Sequence, residues 1–202
     1  MRNVLTMVAA GLALGALSAC APKVAPGAKP EGKPTVEAAK PWGCVGGKTV
    51  LRPDAEVKNT KDKAIYLNER YSLSACRIPL KNGLYTVRLH FAETYEGITE
   101  VGQRVFSVSI EGKPAIADFD VYKEAGGQRF VAVVKEFEAE VKDGELTIEF
   151  QQKVQNPMIN GIEVIGRGAA KGFELRINCG AAEDYKDSAG RVWKKDQELS
   201  AP

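Results

Sequence analysis

Apolar and polar residues alternate along residues 83–91, and this alternation limits the fold of the chain more than any other feature. Four large side chains occupy every second position and so share one face of an extended strand: Tyr85, Val87, Leu89 and Phe91. The same period returns in residues 102–110, after a polar loop at residues 94–97 that carries Tyr95. We therefore predict a strand pair that holds an aromatic loop, with one face of each strand buried against a second layer.

Short strands of the same character follow one another along most of the remaining chain. Because proline lacks a backbone N–H, Pro79 indicates that residues 78–80 form an edge strand. Asp143-Gly144 predicts a hairpin over residues 141–146. Further strands are predicted at 49–51, 64–71, 115–122, 130–137, 146–150, 160–165 and 173–177. Helical periodicity is scarce. The pattern therefore predicts an all-β fold, an antiparallel β-sandwich of the jelly-roll type.

Composition and charge exclude several classes of function. Hydrophobic residues make up 44% of the 202 residues and charged residues 27%, the balance of a globular chain that buries a core. The net charge of +2 comes from acids and bases mixed along the chain, without the basic stripe of a nucleic-acid-binding protein. His90 is the only histidine, which argues against a His-based catalytic triad and against a multi-histidine metal site.

The first 20 residues have the pattern of a bacterial lipoprotein signal. Arg2 precedes an apolar run at residues 4–16 that is too short to span a bilayer, and Leu-Ser-Ala-Cys at residues 17–20 resembles a lipobox. We predict a signal peptide at residues 1–19, cleavage before Cys20, and attachment of acyl chains such as palmitate to this cysteine. Two or three acyl chains anchor a protein stably to a membrane. An ordinary signal peptide with an incidental cysteine is the alternative.

A tether and one domain are predicted after the signal. Residues 20–43 form a Pro-rich linker that cannot bury enough apolar surface to fold, and residues 44–202 form the β-sandwich domain. Ala21 is not the aspartate of a retention signal. By resemblance to Gram-negative lipoproteins, we expect a lipid-anchored protein of the cell envelope, at the outer membrane.

Several blocks of the domain resemble the malectin family of carbohydrate-binding domains. They occur in the family's order between residues 66 and 165, and the longest is Tyr-Thr-Val-Arg-Leu-His-Phe-Ala-Glu at residues 85–93. The others are Gly-Gln-Arg-Val-Phe-Ser-Val at 102–108, Asp-Phe-Asp at 118–120 and Asn-Gly-Ile-Glu-Val at 160–164. The resemblance implies a malectin-like β-sandwich that binds a glycan partner without catalysis.

Carried over position by position, the resemblance implies a carbohydrate-binding site made of five residues: Tyr71, Tyr95, Glu96, Gln155 and Asn156. The tyrosines offer flat faces on which a pyranose ring stacks, and the carboxylate and amides bind hydroxyl groups. Glu96 replaces an aromatic residue of the family and Gln155 an acidic one, which points to a glycan other than a glucose disaccharide. The alternative function is a structural or protein-interaction envelope lipoprotein that retains the fold without binding sugar.

Other polar and aromatic residues are predicted to be structural. His90 lies in the middle of a strand, and Trp193 is expected in the core. Asp118 and Asp120 are predicted to point to one face, and paired carboxylates serve glycosidases. Because alternating acids on a sandwich surface are usually solvated, we predict no catalytic residue. No dense Asp/Asn loop identifies a structural calcium site, and neither a metal nor another cofactor is predicted.

The C-terminal residues 173–202 resemble the beginning of a malectin domain, not its end. Ile-Asn-Cys-Gly at 177–180 and Asp-x-x-Gly-x-x-Trp-x-x-Asp at 187–196 carry this resemblance, whereas residues 46–49 resemble what normally follows. Three explanations stay open. A circular permutation would join the family's termini through a linker at residues 167–172. A domain swap would complete a second copy and give a homodimer, or the tail is the stub of a degraded second repeat.

Three cysteines remain if Cys20 is lipidated, and disulfides form outside the cytoplasm. Under the permutation, a Cys44–Cys179 disulfide would join the two transplanted ends, and this is the predicted pairing. A Cys76–Cys179 disulfide is equally permitted by the sequence, and three buried free thiols are the third alternative.

Overall fold

Nearly every element is a strand within residues 41–199, the part of the chain that the computed structural model describes. The strands, in chain order, are β1 (Gly43–Leu51), β2 (Asn68–Pro79), β3 (Gly83–Phe91), β4 (Val105–Ile110), β5 (Lys113–Phe119), β6 (Val133–Val141), β7 (Glu145–Val154), β8 (Met158–Ile159), β9 (Gly161–Arg167), β10 (Glu174–Asn178), β11 (Tyr185–Lys186), β12 (Val192–Lys195) and β13 (Glu198–Leu199). The helical elements are single turns, namely α1 (Ala64–Leu67), α2 (Val121–Glu124) and a 3-10 turn at Gly168–Ala170.

The strands form two sheets that make a β-sandwich. The first sheet has the order β13-β1-β2-β7-β4-β5, with β8 also paired to β2, and the second has the order β11-β12-β10-β9-β3-β6. Most neighbours are antiparallel, whereas β1 with β13 and β10 with β12 are parallel pairs. The predicted all-β sandwich is confirmed, with these two parallel pairs at its periphery.

The core lies between the two sheets and is built from the alternating positions of both. On β3 all four predicted inward side chains are buried, from Tyr85 at 2% exposure to Phe91 at 0%. Phe91 also contacts Phe106 of β4 and Phe119 of β5, with ring centroids 6.1 and 4.8 Å away. Burial of aromatic side chains of this size is a large share of the hydrophobic stabilisation of a small sandwich.

Strands β3 and β4 do not form the predicted pair, because they belong to opposite sheets. β3 lies between β9 and β6 in the second sheet, and β4 lies between β7 and β5 in the first. Residues 92–104 therefore cross from one sheet to the other instead of closing a hairpin. The prediction is wrong because apolar and polar residues alternate in any strand with one buried face. The pattern is the same whether two such strands pair in one sheet or face each other across the core.

Four smaller predictions also need correction. Residues 78–80 do not form an edge strand, because Pro79 is the last residue of β2, which lies between β1 and β7. Residues 141–146 do not form a hairpin, because they connect β6 of the second sheet to β7 of the first. The predicted strand at 64–71 begins as the helical turn α1, and the one at 115–122 ends at Phe119, before α2.

The C-terminal tail completes the sandwich of its own chain. Leu175 pairs with Val164 and Ile177 with Ile162, so β10 is a regular antiparallel neighbour of β9. The explanation of the tail as an unpaired stub is therefore wrong. Trp193 of β12 is 1% exposed, which confirms its predicted place in the core.

One disulfide joins β1 to β2. Cys44 and Cys76 are directly opposite each other in this strand pair and are bonded, whereas Cys179 is a free and fully buried thiol. The predicted Cys44–Cys179 disulfide is wrong, and so are the Cys76–Cys179 and all-free alternatives. Cys179 follows β10 in the second sheet, whereas the register of β1 and β2 places Cys44 and Cys76 opposite each other, close enough to bond. Burial raises the pKa of the Cys179 thiol well above its ordinary value.

The predictions for the N-terminal segment fall mostly outside the described residues. Residues 1–40 are not described by the structure. They include the predicted signal peptide at 1–19, the lipidation site Cys20 and most of the predicted linker. Among residues 41–199, no helix reaches the length and hydrophobicity that crossing a bilayer requires.

Candidate functional site

A cleft of about 280 Å³ lies where the end of β1, the start of β2 and two loops meet. The first loop is residues 92–104 after β3, and the second is the turn after β7. Mostly polar and aromatic side chains line the cleft, with one aliphatic residue, Val50: Arg52, Glu69, Tyr71, Tyr95, Arg104, Gln155 and Asn156 are the others. A concave site with a few convergent polar groups is typical of small-ligand binding.

The structure brings four of the five predicted site residues to this cleft. Tyr71, Tyr95, Gln155 and Asn156 all line it, although they are up to 85 positions apart in the sequence. Glu96 lines a neighbouring cavity of about 500 Å³, which shares Tyr95 with the first. The binding role of these five residues stays a prediction, whereas their convergence on one surface is a feature of the fold.

The two tyrosines differ in exposure and in how they are held. Tyr71 is half-buried on β2, where its ring packs on the core, and Tyr95 is 45% exposed at the start of the loop. The backbone N–H of Tyr95 donates to Oε1 of Glu93 at 3.0 Å. Its ring lies over Gly97, where an added Cβ would be only 2.5 Å from Cε1. Both rings are therefore held in defined positions beside the cleft.

A buried ion pair under the cleft fixes the loop to the rest of the site. Nε of Arg104 donates to Oε2 of Glu93 at 2.7 Å, and Nη1 donates to the carbonyl oxygen of Asn156 at 2.7 Å. Arg104 and Glu93 are 4% and 0% exposed. Burial is the largest influence on the pKa of Glu93 and raises it above its ordinary value, despite the adjacent guanidinium. The sequence did not identify either residue as part of the site.

Two further residues, Arg52 and Glu69, line the cleft, and Thr94 contacts Glu69 from the neighbouring cavity. The hydroxyl of Thr94 donates to Oε2 of Glu69 at 2.7 Å, and Nη1 of Arg52 lies 3.6 Å from the same oxygen. Nη1 of Arg52 is buried and has no hydrogen-bond partner within residues 41–199. Buried donors without a partner are rare in native proteins, and an oxygen of a water or of a ligand would satisfy this one.

The other polar residues considered in the sequence do not form a second site of this kind. Asp118 is exposed and pairs with Lys153, whereas Asp120 is buried and accepts from the backbone N–H of Lys123 and Gly102. A positive φ of 47° at Asp118 interrupts the strand alternation, so the prediction that the two acids share a face is wrong. Among the described residues, no group of three potential ligands is placed to hold a metal ion.

His90 is part of a buried network on the outer side of the second sheet. Its Nδ1 lies 2.8 Å from the hydroxyl of Tyr66 and its Nε2 lies 3.1 Å from Oε1 of Glu163. All three residues are at most 7% exposed. The prediction that His90 is a satisfied structural residue is confirmed.

Comparison with known proteins identifies relatives of the strand-rich region. A family model described as Malectin domain matches residues 45–170. The chain is 30% identical over 135 residues to a probable LRR receptor-like serine/threonine-protein kinase of Arabidopsis thaliana. It is 37% identical over 110 residues to Receptor-like protein 4 of the same plant. These alignments cover 58% and 54% of this chain but only 14% and 17% of the relatives, which are much longer proteins.

Solved structures with the same fold come from two kinds of protein. A β-glucuronidase of Bacteroides uniformis aligns with a TM-score of 0.58 and 25% identity, over 66% of this chain and 15% of that one. The plant receptor-like kinase FER aligns with a TM-score of 0.53 and 23% identity, over 77% of this chain and 46% of that one. FER has also been solved with the plant peptide RALF23 and LLG2, and that structure aligns with a TM-score of 0.50.

Proposed function

Because the chain belongs to the malectin domain family, we propose that its β-sandwich binds carbohydrate in the cleft beside Tyr71 and Tyr95 and carries out no chemistry on it. The observation that carries this proposal is the convergence of Tyr71, Tyr95, Gln155 and Asn156 on one cleft.

The side chains of the cleft suit a hydroxyl-rich ring. An aromatic face binds the C–H groups of a pyranose, and Tyr95 presents such a face because it is 45% exposed and held by Glu93 and Gly97. The amides of Gln155 and Asn156 both donate and accept hydrogen bonds, as neighbouring sugar hydroxyls require. The cleft lies at the lower end of the roughly 300–1,000 Å³ range of small-ligand sites.

The test of this proposal is the loss of glycan binding in Tyr95→Ala. We expect the full chain to retain specific glycans on an array, and the variant to bind them at least about tenfold more weakly, which is roughly 1.4 kcal/mol. Isothermal titration with the best array glycan measures the loss. Gly97→Ala is the second variant, because its new Cβ displaces the Tyr95 ring while the ring itself remains. We expect it to weaken binding by an intermediate factor.

Leu84→Ala is the matched control for these variants. Leu84 is 54% exposed and lies at the opposite end of β3 from the loop that carries Tyr95. All three variants replace exposed residues, so the free energy of unfolding of each should lie within about 1 kcal/mol of the wild-type value. Unchanged glycan binding in Tyr95→Ala would contradict the proposal, and so would an equal loss in Leu84→Ala.

An interaction with a protein partner is the alternative function. Its support is the structure of FER with the peptide RALF23 and LLG2, which shows that a protein with this fold takes part in such a complex. Under this alternative the array shows no glycan hit, and a partner recovered by pull-down is retained equally by Tyr95→Ala and the wild type.

We also propose that the domain is held at the bacterial cell envelope by lipid on Cys20, with the outer membrane as its location. The support is the sequence of residues 1–20, whose apolar run and Leu-Ser-Ala-Cys ending suit a lipoprotein signal. Expression of the full chain in a Gram-negative bacterium with labelled palmitate is expected to label the wild type and leave Cys20→Ser unlabelled. Label on Cys20→Ser, or an unlabelled wild type, would contradict the anchor.

The order of the strands supports a circular permutation of the family's domain. The family model ends at residue 170, yet β10 and β13 beyond it pair with β9 and β1 of the same chain, and β12 pairs in turn with β10. The 3-10 turn at Gly168–Ala170 makes the connection, and the backbone N–H of Gly166 donates to the carbonyl oxygen of Phe173 across it. A domain-swapped homodimer, the competing arrangement, would place β10 against β9 of a second copy.

A further inference from the structure

The larger cavity beside the cleft is lined by the predicted residues Tyr95 and Glu96 and by others that the sequence did not identify. It measures about 500 Å³ and is lined by Arg52, Pro53, Asp54, Ala55, Thr94, Tyr95, Glu96 and Phe130. It shares Arg52 and Tyr95 with the cleft of about 280 Å³, so the two spaces are consecutive along one surface. Its volume lies within the roughly 300–1,000 Å³ range of small-ligand sites.

Phe130 adds a second aromatic side chain to this surface and has an unusual backbone conformation. Its φ is +57°, in the left-handed region that bulky side chains rarely adopt. Two hydrogen bonds hold this conformation: its N–H donates to the carbonyl oxygen of Glu93 at 2.9 Å, and its carbonyl accepts from the N–H of Lys58 at 2.8 Å. Strained residues that the surrounding structure holds in place are concentrated at binding and catalytic sites.

Glu93 holds both aromatic residues of the larger cavity. Its carboxylate accepts from the N–H of Tyr95, and its backbone carbonyl accepts from the N–H of Phe130. The carboxylate is itself fixed by the buried Arg104. One fully buried residue thus sets the positions of Tyr95 and Phe130 together, as expected if the two rings serve one ligand.

Polar groups at the larger cavity are available for hydroxyl groups. The carboxylates of Asp54 and Glu96 line it and form neither an ion pair nor a hydrogen bond within the described part of the chain. Arg52, at the boundary with the smaller cleft, carries the donor Nη1, which lies 3.6 Å from Oε2 of Glu69 and has no hydrogen-bond partner within residues 41–199. Acceptors on one side and a donor at the boundary suit consecutive sugar residues.

We infer that the larger cavity is a second sugar subsite, in which Phe130 and Tyr95 are the stacking residues and Asp54 and Glu96 bind hydroxyl groups. The ligand is then an oligosaccharide that extends from the smaller cleft past Tyr95, not a single sugar. This inference rests on the proposed carbohydrate function and adds to it the length of the ligand and the aromatic residue that recognises its far end.

The experiment compares glycans of increasing length. The probe is an array of neutral and acidic oligosaccharides of one to six residues, followed by titration calorimetry of the full chain with each length of the best series. We expect Phe130→Leu, which keeps an apolar side chain but removes the stacking face, to bind the longest member about three- to tenfold more weakly. Its affinity for the shortest bound member should match that of the wild type. Phe130→Tyr should restore the affinity for long members.

Glu96→Ala provides a second variant at an exposed position, where folding is not in question. It should show the same selective loss for long members, by about threefold. A wild type whose affinity does not rise with length overturns the subsite and leaves the proposed function standing, and so does a Phe130→Leu loss that is equal at every length. A wild type that binds no glycan of any length overturns both.

Discussion

Replacement of Trp193 by alanine is expected to lower the free energy of unfolding by about 3–5 kcal/mol. The indole is 1% exposed, and its Nε1 donates to Oδ2 of Asp187 at 3.0 Å. Its ring also meets that of His90 edge to face, with centroids 5.2 Å apart. Truncation leaves a cavity in the buried cluster that Trp193 forms with Ile65 and Tyr66, and it removes one partner of the buried Asp187 carboxylate, which also accepts from Arg191. Urea unfolding followed by circular dichroism measures the difference.

Val192→Ala is the matched control, because Val192 precedes Trp193 on the same strand and is 47% exposed. It should cost less than about 1 kcal/mol. The comparison also bears on the proposed permutation, which requires the tail to be an integral part of the domain. A loss below about 1 kcal/mol in Trp193→Ala would show that the tail is dispensable and would contradict that arrangement.

Glu163→Gln is expected to destabilise the fold by a similar amount, about 3–5 kcal/mol, because it removes the buried counter-charge of the Arg176 guanidinium and leaves only the exposed Glu174. Oε2 of Glu163 accepts from Nε of Arg176 at 2.8 Å, and Oε1 lies 3.1 Å from His90. The side chains of Glu163 and Arg176 are 4% and 8% exposed. The variant keeps the shape of the side chain, so the loss reports on its charge.

Glu174→Gln is the control for this charge effect. Glu174 pairs with the same arginine, through Nη1 of Arg176 at 2.8 Å, but its side chain is 53% exposed. An exposed partner should contribute less than about 1 kcal/mol. Equal losses in the two variants would contradict the expectation that burial decides the effect.

The contribution of Glu163 should also depend on pH. Burial raises the pKa of its carboxyl, but hydrogen bonds and charge from His90 and Arg176 outweigh burial and lower the pKa below the ordinary 4.5. A carboxyl with a lowered pKa in the folded state adds stability above its unfolded pKa, and this stability is lost as the pH falls through the folded pKa. The difference between wild type and Glu163→Gln should therefore be largest near neutral pH and shrink as the pH falls below about 4.5. A difference that is constant across this range would contradict the prediction.

The candidate site shows how far sequence reasoning reached. Tyr71, Tyr95, Gln155 and Asn156 were found because each matches a motif position, and the structure places them at one cleft. Arg104 and Phe130 were missed for different reasons. Arg104 joins the site through a buried ion pair with Glu93, a partner that is local in sequence but could not be identified without the fold. The position of the Phe130 ring depends on a left-handed backbone conformation, which no sequence pattern predicts.

The sequence by itself determined that the chain forms an all-β sandwich and which side chains enter its core, because strand alternation is a local property that depends only on neighbouring residues. It did not determine which strands are neighbours. The tertiary structure placed β3 and β4 in opposite sheets and paired Cys44 with Cys76 instead of Cys179. Strand order and disulfide pairing depend on contacts between distant segments. A buried face presents the same alternation whichever strand lies beside it, so only the assembled sandwich decides between the arrangements.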